Sequence, residues 1–129
     1  MSRIPLTFLV ATLAVTVLAA TAPRSQCPRV FTITMNHDST GQHFSPAVLE
    51  VVTGDTLRFI NGVGHHNVDF VRDSNPPNVS LPRATRIAEQ SGDVFVVPIA
   101  LPPGHYTFQC DPHVTMGMIG HVQVDARTR

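Results

Sequence analysis

Short segments in which apolar and polar residues alternate run through the chain after residue 30. Alternation with a period of two is typical of β-strands that bury one face, and the longer periodicity of an amphipathic helix is missing after that point. Turns that contain Gly or Pro separate the segments. The predicted strands cover residues 31–36, 48–52, 56–60, 68–71, 94–99, 106–110 and 119–124. Short strands at these spacings predict an all-β, antiparallel sandwich or barrel.

Two segments between the predicted strands are less regular. Residues 75–83 hold three of the eleven prolines, which predicts an irregular excursion. The pattern of residues 84–90 is compatible with either a short helix or a strand, and the sequence leaves both open.

The first 22 residues differ in composition from the rest of the chain. Arg3 precedes an apolar stretch over residues 6–20, and small residues follow at its end. This layout is typical of a secretory signal peptide, so we predict a leader over residues 1–22 and one domain over residues 23–129. The predicted location is the periplasm or another extracytoplasmic space. An uncleaved N-terminal anchor is the alternative, and membrane association is expected only in that case.

Composition narrows the range of functions. Nine Lys and Arg residues balance nine Asp and Glu residues, so no net charge favours nucleic acid or an anionic membrane as a partner. Seven histidines, four methionines and two cysteines supply nitrogen and sulfur ligands. Because two cysteines pair by default in an oxidising compartment, a disulfide between Cys27 and Cys110 is one interpretation.

The segment from Cys110 to Met118 places a cysteine, a histidine and methionine in one loop between two predicted strands. A thiolate, an imidazole and a thioether suit copper in both its oxidation states, whereas Mg²⁺ and Ca²⁺ prefer oxygen ligands. Pro112 stiffens the turn that returns His113 toward the cysteine, and Gly117 lets the backbone bend. One further histidine would complete the two-histidine, one-cysteine plane with a weak axial methionine that is typical of a blue-copper site.

Two ligand assignments stay open at this point. The further histidine is His65 or His66, which are adjacent where one predicted strand ends and the next begins. The axial methionine is Met116 or Met118, and a buried methionine can also be ordinary core. The ligand spacing argues against the disulfide, because a bridge to Cys27 would leave the histidine and methionine of this loop without a role.

Three segments resemble the copper-site segments of the cupredoxins, in the branch that contains plastocyanin and pseudoazurin. They are His66-Asn67-Val68, the run from Tyr106 to His113, and the run from Met116 to Gly120. Phe44-Ser45-Pro46 and Gly54-Asp55-Thr56 are similar to the early strands and turn of that family. The resemblance extends over about residues 30–124.

This resemblance implies a Greek-key β-sandwich that holds one type 1 copper ion and transfers electrons rather than acting as an enzyme. It assigns His66 and His113 as the imidazole ligands, Cys110 as the thiolate and Met118 as the axial ligand. It also makes Asn67 the residue that ties the two ligand loops together and hydrogen-bonds toward the cysteine sulfur. Outer contacts of this kind orient ligands and tune the metal.

The resemblance also implies where electrons enter and leave. The ring edge of His113 would be the electron port, inside an apolar patch formed by Val63, Gly64, Pro112 and Met116. The expected partners are redox proteins such as a cytochrome c, a reductase, an oxidase or a photosynthetic complex, and the expected state is a monomer. A small, weak interface suits a carrier that docks and leaves quickly.

Three other functions are weighed against electron transfer. A copper storage or delivery protein is the main alternative, although delivery favours exposed, exchangeable ligands. An enzyme would need an open coordination position, and a metal-free domain would need the disulfide. The remaining histidines are interpreted as surface or loop residues, with a second, weaker metal site at His37 and His43 as the alternative.

Overall fold

A computed structural model describes residues 27–127. The predicted leader over residues 1–22 lies outside the described residues, as do the last two residues of the chain. Within the described range, no helix is long and apolar enough to cross a membrane.

Seven strands form two sheets within residues 27–127. The first sheet has the order β2-β1-β4-β5 and the second the order β3-β7-β6. Two short 3₁₀ turns, Arg72–Ser74 and Asp111–Met116, lie between strands. The strands are β1 (Val30–Asp38), β2 (Gly41–Ser45), β3 (Val48–Val52), β4 (Thr56–Asn61), β5 (Val94–Pro98), β6 (Gly104–Gln109) and β7 (Ile119–Asp125).

The predicted all-β sandwich is confirmed, but its sheets are mixed rather than purely antiparallel. β1 pairs in parallel with β4, and β3 pairs in parallel with β7. The other three strand pairs are antiparallel. Two strands can pair in parallel only when the chain between them crosses over, here through the other sheet. The alternation within one strand does not show which distant strand it will pair with.

Two strand assignments from the sequence were wrong. Residues 68–71 form no strand, because their only ladder contact is an isolated bridge between Asp69 and Gln109. The strand Gly41–Ser45 was missed, since its sequence has a single buried apolar residue, Phe44.

The two irregular segments also follow from the structure. Residues 75–83 contain no helix or strand, as predicted. Residues 84–90 adopt neither a helix nor a strand and contribute one bridge, from Ala88 to His66.

The core lies between the two sheets and follows from the alternation within each strand. In β4, Leu57 and Phe59 are fully buried. In β6, Tyr106 and Phe108 occupy the same interior from the opposite sheet. Burying such side chains contributes about 1.5–3 kcal/mol each to folding. The same alternation carries Cys110 inward directly after β6.

Candidate metal centre

Cys110 lies at the end of β6 with a fully buried side chain. Its backbone N–H donates to the carbonyl of Met118 at 3.1 Å, which holds the two ends of the loop together. Burial raises the pKa of the Cys110 thiol, and hydrogen bonds from the backbone N–H groups of Asn67 and His113 oppose the increase. A buried thiol of this kind ionises readily when a metal cation replaces its proton.

His66 is also fully buried, in the segment that follows β4. Its Nε2 atom lies 2.8 Å from the carbonyl oxygen of Val63 and donates to it, which leaves Nδ1 without a proton. That Nδ1 atom lies 3.7 Å from Cys110 Sγ. Burial lowers the pKa of His66, so the imidazole is neutral and able to bind a metal.

His113 approaches the same point from the 3₁₀ turn that follows Cys110. Its Nδ1 atom lies 3.4 Å from Cys110 Sγ, and its ring centroid lies 5.0 Å from that of His66. The imidazole is only partly buried, and burial lowers its pKa as well. His113 therefore joins the buried site to the molecular surface.

The ligand atoms of His66, Cys110 and His113 all lie within 4.8 Å of one another. Among residues 27–127, this is the one group of three or more His, Cys, Asp or Glu side chains with such spacing. Two imidazoles and a thiolate are the equatorial donors of a type 1 copper site, so the residues present fit copper.

The structure separates the two candidate methionines. Met118 is fully buried, and its backbone N–H donates to the carbonyl of His113 at 3.2 Å. Met116 is 65% exposed at the surface. The four predicted residues thus form an arrangement like a type 1 copper site, with Met118 as the interior thioether.

The structure also separates His65 from His66. The His65 side chain is exposed, whereas His66 points to the cysteine sulfur. Gly64 is essential to this placement, because a Cβ atom there would lie 2.7 Å from His66 Nε2. The φ of Gly64 is +110°, a conformation that favours glycine.

Asn67 and Asp111 tie the two ligand loops together. The Asn67 Nδ2 atom donates to Asp111 Oδ2 at 2.7 Å, and the backbone N–H of Asp111 donates to Asn67 Oδ1 at 2.8 Å. The resemblance predicted the role of Asn67, whereas that of Asp111 was missed. Its position directly after Cys110 could have indicated this role, because a polar side chain at the start of this loop can hydrogen-bond to the segment that contains His66.

A second acidic residue lies beside this tie. Burial raises the pKa of Asp69, and the charge of Asp111 and a hydrogen bond with its side chain act in the same direction. The backbone of Asp69 exchanges two hydrogen bonds with Gln109, each of 2.9 Å. This ladder fixes the segment that carries His66 against the end of β6.

Two alternatives from the sequence disagree with the structure. Cys27 is exposed and Cys110 is buried, and both thiols are free. His37 pairs with Gln42 and His43 with Asn36 across β1 and β2. Because neighbouring strand positions face opposite sides, His37 and His43 do not converge on a second metal site.

The surface near His113 contains apolar residues from both ligand loops. Val63 is 59% exposed and Met116 is exposed to a similar degree, while Pro112 is also at the surface. Gly64 is half-buried. These are the residues that the resemblance placed around the electron port.

Comparisons with known proteins agree with this geometry. The family described as copper binding proteins, plastocyanin/azurin family, matches residues 31–125. The plastocyanin of Prochlorothrix hollandica is 36% identical over 124 residues, covering 94% of this chain and 91% of its own length. The chloroplastic plastocyanin of Hordeum vulgare is 35% identical over 85 residues, and the chain spans about half of its length (54%).

The fold is likewise similar to solved structures. The pseudoazurin of Methylobacterium extorquens AM1 superposes with a TM-score of 0.60 at 25% identity. The match covers 78% of this chain and 77% of the pseudoazurin.

Proposed function

The chain belongs to the plastocyanin/azurin family of copper-binding proteins, and from this premise we propose that it is an exported carrier of single electrons. One type 1 copper ion would supply the Cu(II)/Cu(I) couple. His66, Cys110 and His113 would hold it, and the thioether of Met118 would be a further, weak ligand. The observation that carries the proposal is the convergence of two imidazole nitrogens and a buried thiol within 4.8 Å.

The chain contributes to electron transfer by holding the ligands in fixed positions. Electron transfer is fast when the ligands move little between the two oxidation states, and two of the ligands here have a second anchor. His66 is held by the carbonyl of Val63, and Cys110 is bonded through its backbone to Met118. Such outer contacts fix ring orientation and ligand basicity.

His113 provides the path between the site and a docked partner. It is the partly exposed member of the three, whereas His66 and Cys110 are fully buried. The exposed apolar side chains of Val63 and Met116 support brief docking around it. The proposed partners are redox proteins, such as a cytochrome c, a reductase, an oxidase or a photosynthetic complex. The proposed state of this chain when it docks is a monomer.

Export is part of the proposal and is supported by the pattern of residues 1–22. Copper storage or delivery is the second candidate. The burial of Cys110, His66 and Met118 disfavours it, because release of the ion would require the ligands to become accessible.

The visible spectrum of the purified protein with one equivalent of Cu(II) tests the proposal. We expect an intense blue band from thiolate-to-copper charge transfer, bleached by ascorbate and restored by an oxidant. The Cys110→Ser variant should stay colourless, and the Cys27→Ser variant should be as blue as the parent protein. Equal colour in the two variants, or a colourless parent protein, would contradict the assignment.

Copper loss from the reduced protein distinguishes the carrier from a delivery protein. With a Cu(I) chelator in excess, a carrier should keep its ion through repeated oxidation and reduction. Rapid and complete transfer to the chelator would favour storage or delivery.

A further inference from the structure

The Asp111 carboxylate is the most heavily bonded acidic group next to the candidate metal centre. Its Oδ2 atom accepts from Asn67 Nδ2 at 2.7 Å, and its Oδ1 atom accepts from Gln109 Nε2 at 3.0 Å. Its own backbone N–H donates to Asn67 Oδ1, and its side chain also hydrogen-bonds with the side chain of Asp69. The carboxylate is therefore held in one orientation although the residue lies at the surface.

Asn67 connects this carboxylate to the cysteine sulfur. Its side chain makes two bonds to Asp111, and its backbone N–H donates to the sulfur of Cys110. His66 is the preceding residue. Because the side-chain bonds to Asp111 hold Asn67 in place, they also hold its backbone N–H, which donates to the sulfur, and the backbone next to the ligand His66.

We propose that Asp111 is a positioning residue that also sets the redox potential of the site. This inference rests on the proposed function. The carboxylate orients Asn67, and its fixed negative charge next to Cys110 favours the more positive Cu(II) state over Cu(I). Removing the charge therefore shifts the couple toward Cu(I), which is a higher potential.

The direction of the shift in redox potential follows from Coulomb's law, and its size is limited because Asp111 is exposed to solvent. A unit charge within several ångströms acts strongly at a buried site, but solvent screens a surface carboxylate. We expect a change of about fivefold in the Cu(II)/Cu(I) equilibrium, which is about 40 mV for a one-electron couple at 59 mV per decade. The shift should shrink as salt is added.

Two substitutions separate charge from positioning. Asp111→Asn removes the charge but keeps an oxygen that can accept from Asn67. Asp111→Ala removes both the charge and the contact. Asp73→Asn is the matched control, because it deletes an exposed carboxylate in the Arg72–Ser74 turn, which belongs to neither ligand loop.

The potentials, visible spectra and copper retention of these variants are measured on copper-loaded protein, with thermal unfolding of the metal-free forms as a check on folding. Asp111→Asn should shift the equilibrium about fivefold toward Cu(I) with little change of colour. Asp111→Ala should shift it the same way, alter the blue band and lose copper to a chelator about tenfold faster. Asp73→Asn should match the parent protein.

The outcomes distinguish this inference from the function on which it rests. If the parent protein is blue and Asp111→Asn has the same potential as Asp73→Asn, the tuning role is overturned and the proposed function stands. If Asp111→Ala only lowers the unfolding temperature, Asp111 is a structural residue. If the parent protein forms no blue site, both proposals are overturned.

Discussion

At the scale of single residues, the candidate centre depends on a hydrogen bond that engages one of the two ring nitrogens of His66. Its Nε2 atom is bound to the carbonyl of Val63 at 2.8 Å, so the other ring nitrogen faces Cys110. Gly64 leaves room for this contact, since any Cβ would press on the ring. The backbone before the ligand thus selects which imidazole enters the site and which atom it presents.

The substitution Gly64→Ala tests this point. The new methyl group would lie 2.7 Å from His66 Nε2, so the ring must move, and copper affinity should fall at least tenfold. Competition with a chelator of known affinity measures the loss. Gly92→Ala is the control, because Gly92 has a similar φ of +87° but no atom within 4 Å of a new Cβ. Both variants share the backbone cost, and equal affinities would refute the steric argument.

At the scale of elements, β6 and β7 carry the cysteine and the end of its loop. Phe108 of β6 is directly opposite Gly120 of β7. The Phe108 ring fills the space above that glycine and makes edge contacts with Phe44 at 4.9 Å and Phe59 at 5.3 Å between centroids. Because Cys110 is two residues further along, the packing of this ring also fixes the end of β6.

Gly120→Ala should disturb this packing. A Cβ atom at position 120 would lie 2.3 Å from two carbons of the Phe108 ring, which is fully buried and has little room to move. Overpacking of this kind costs about 1–3 kcal/mol. Denaturant unfolding of the metal-free protein measures it. His121→Ala, at an exposed position of the same strand, should change stability by less than about 0.5 kcal/mol.

At the scale of the whole molecule, both ends of the described chain converge on one buried carboxylate. Asp55 is fully buried and accepts from the guanidinium groups of Arg29 at 3.3 Å and Arg127 at 3.1 Å. The backbone N–H groups of Arg29 and Val52 donate to it as well. Arg127 also donates to the carbonyl of Thr53 at 3.0 Å. The sandwich is therefore closed at this turn by charge-assisted hydrogen bonds.

Asp55→Asn should lower the free energy of unfolding by about 1.5–3 kcal/mol, because the buried side chain at this position loses its charge-assisted hydrogen bonds to two partly exposed arginines. Asp73→Asn, which changes an exposed carboxylate, should unfold like the parent protein. Equal stability of the two variants would show that the closure contributes little.

The same carboxylate predicts a pH dependence of stability. Burial alone would raise the pKa of Asp55, but hydrogen bonds from Val52 and Arg29 and the Arg29 charge outweigh it and lower the pKa. Its contribution is therefore complete above the unfolded-state value of about 3.9 and disappears as the pH falls through the lower folded-state value. Thermal unfolding between pH 7 and pH 2 should show this loss in the parent protein and a smaller one in Asp55→Asn.

The sequence alone determined the features that depend on nearby residues. Cys110, His113 and Met118 lie within nine positions, so their donor chemistry could be recognised from spacing. Alternation predicted Val48–Val52 and most of the other strands, because each strand buries one face. The choices of His66 and Met118 came from resemblance, since spacing alone could not separate them from His65 and Met116.

Only the tertiary structure decided the features that join distant residues. The parallel pairing of β1 with β4 and the bond from Asn67 to Asp111 connect segments far apart in sequence. Residues 68–71 have strand-like alternation but meet a partner at a single bridge, so local pattern misassigned them. Alternation reports which side of a segment is buried, whereas pairing, closure and outer contacts depend on what the folded chain brings opposite it.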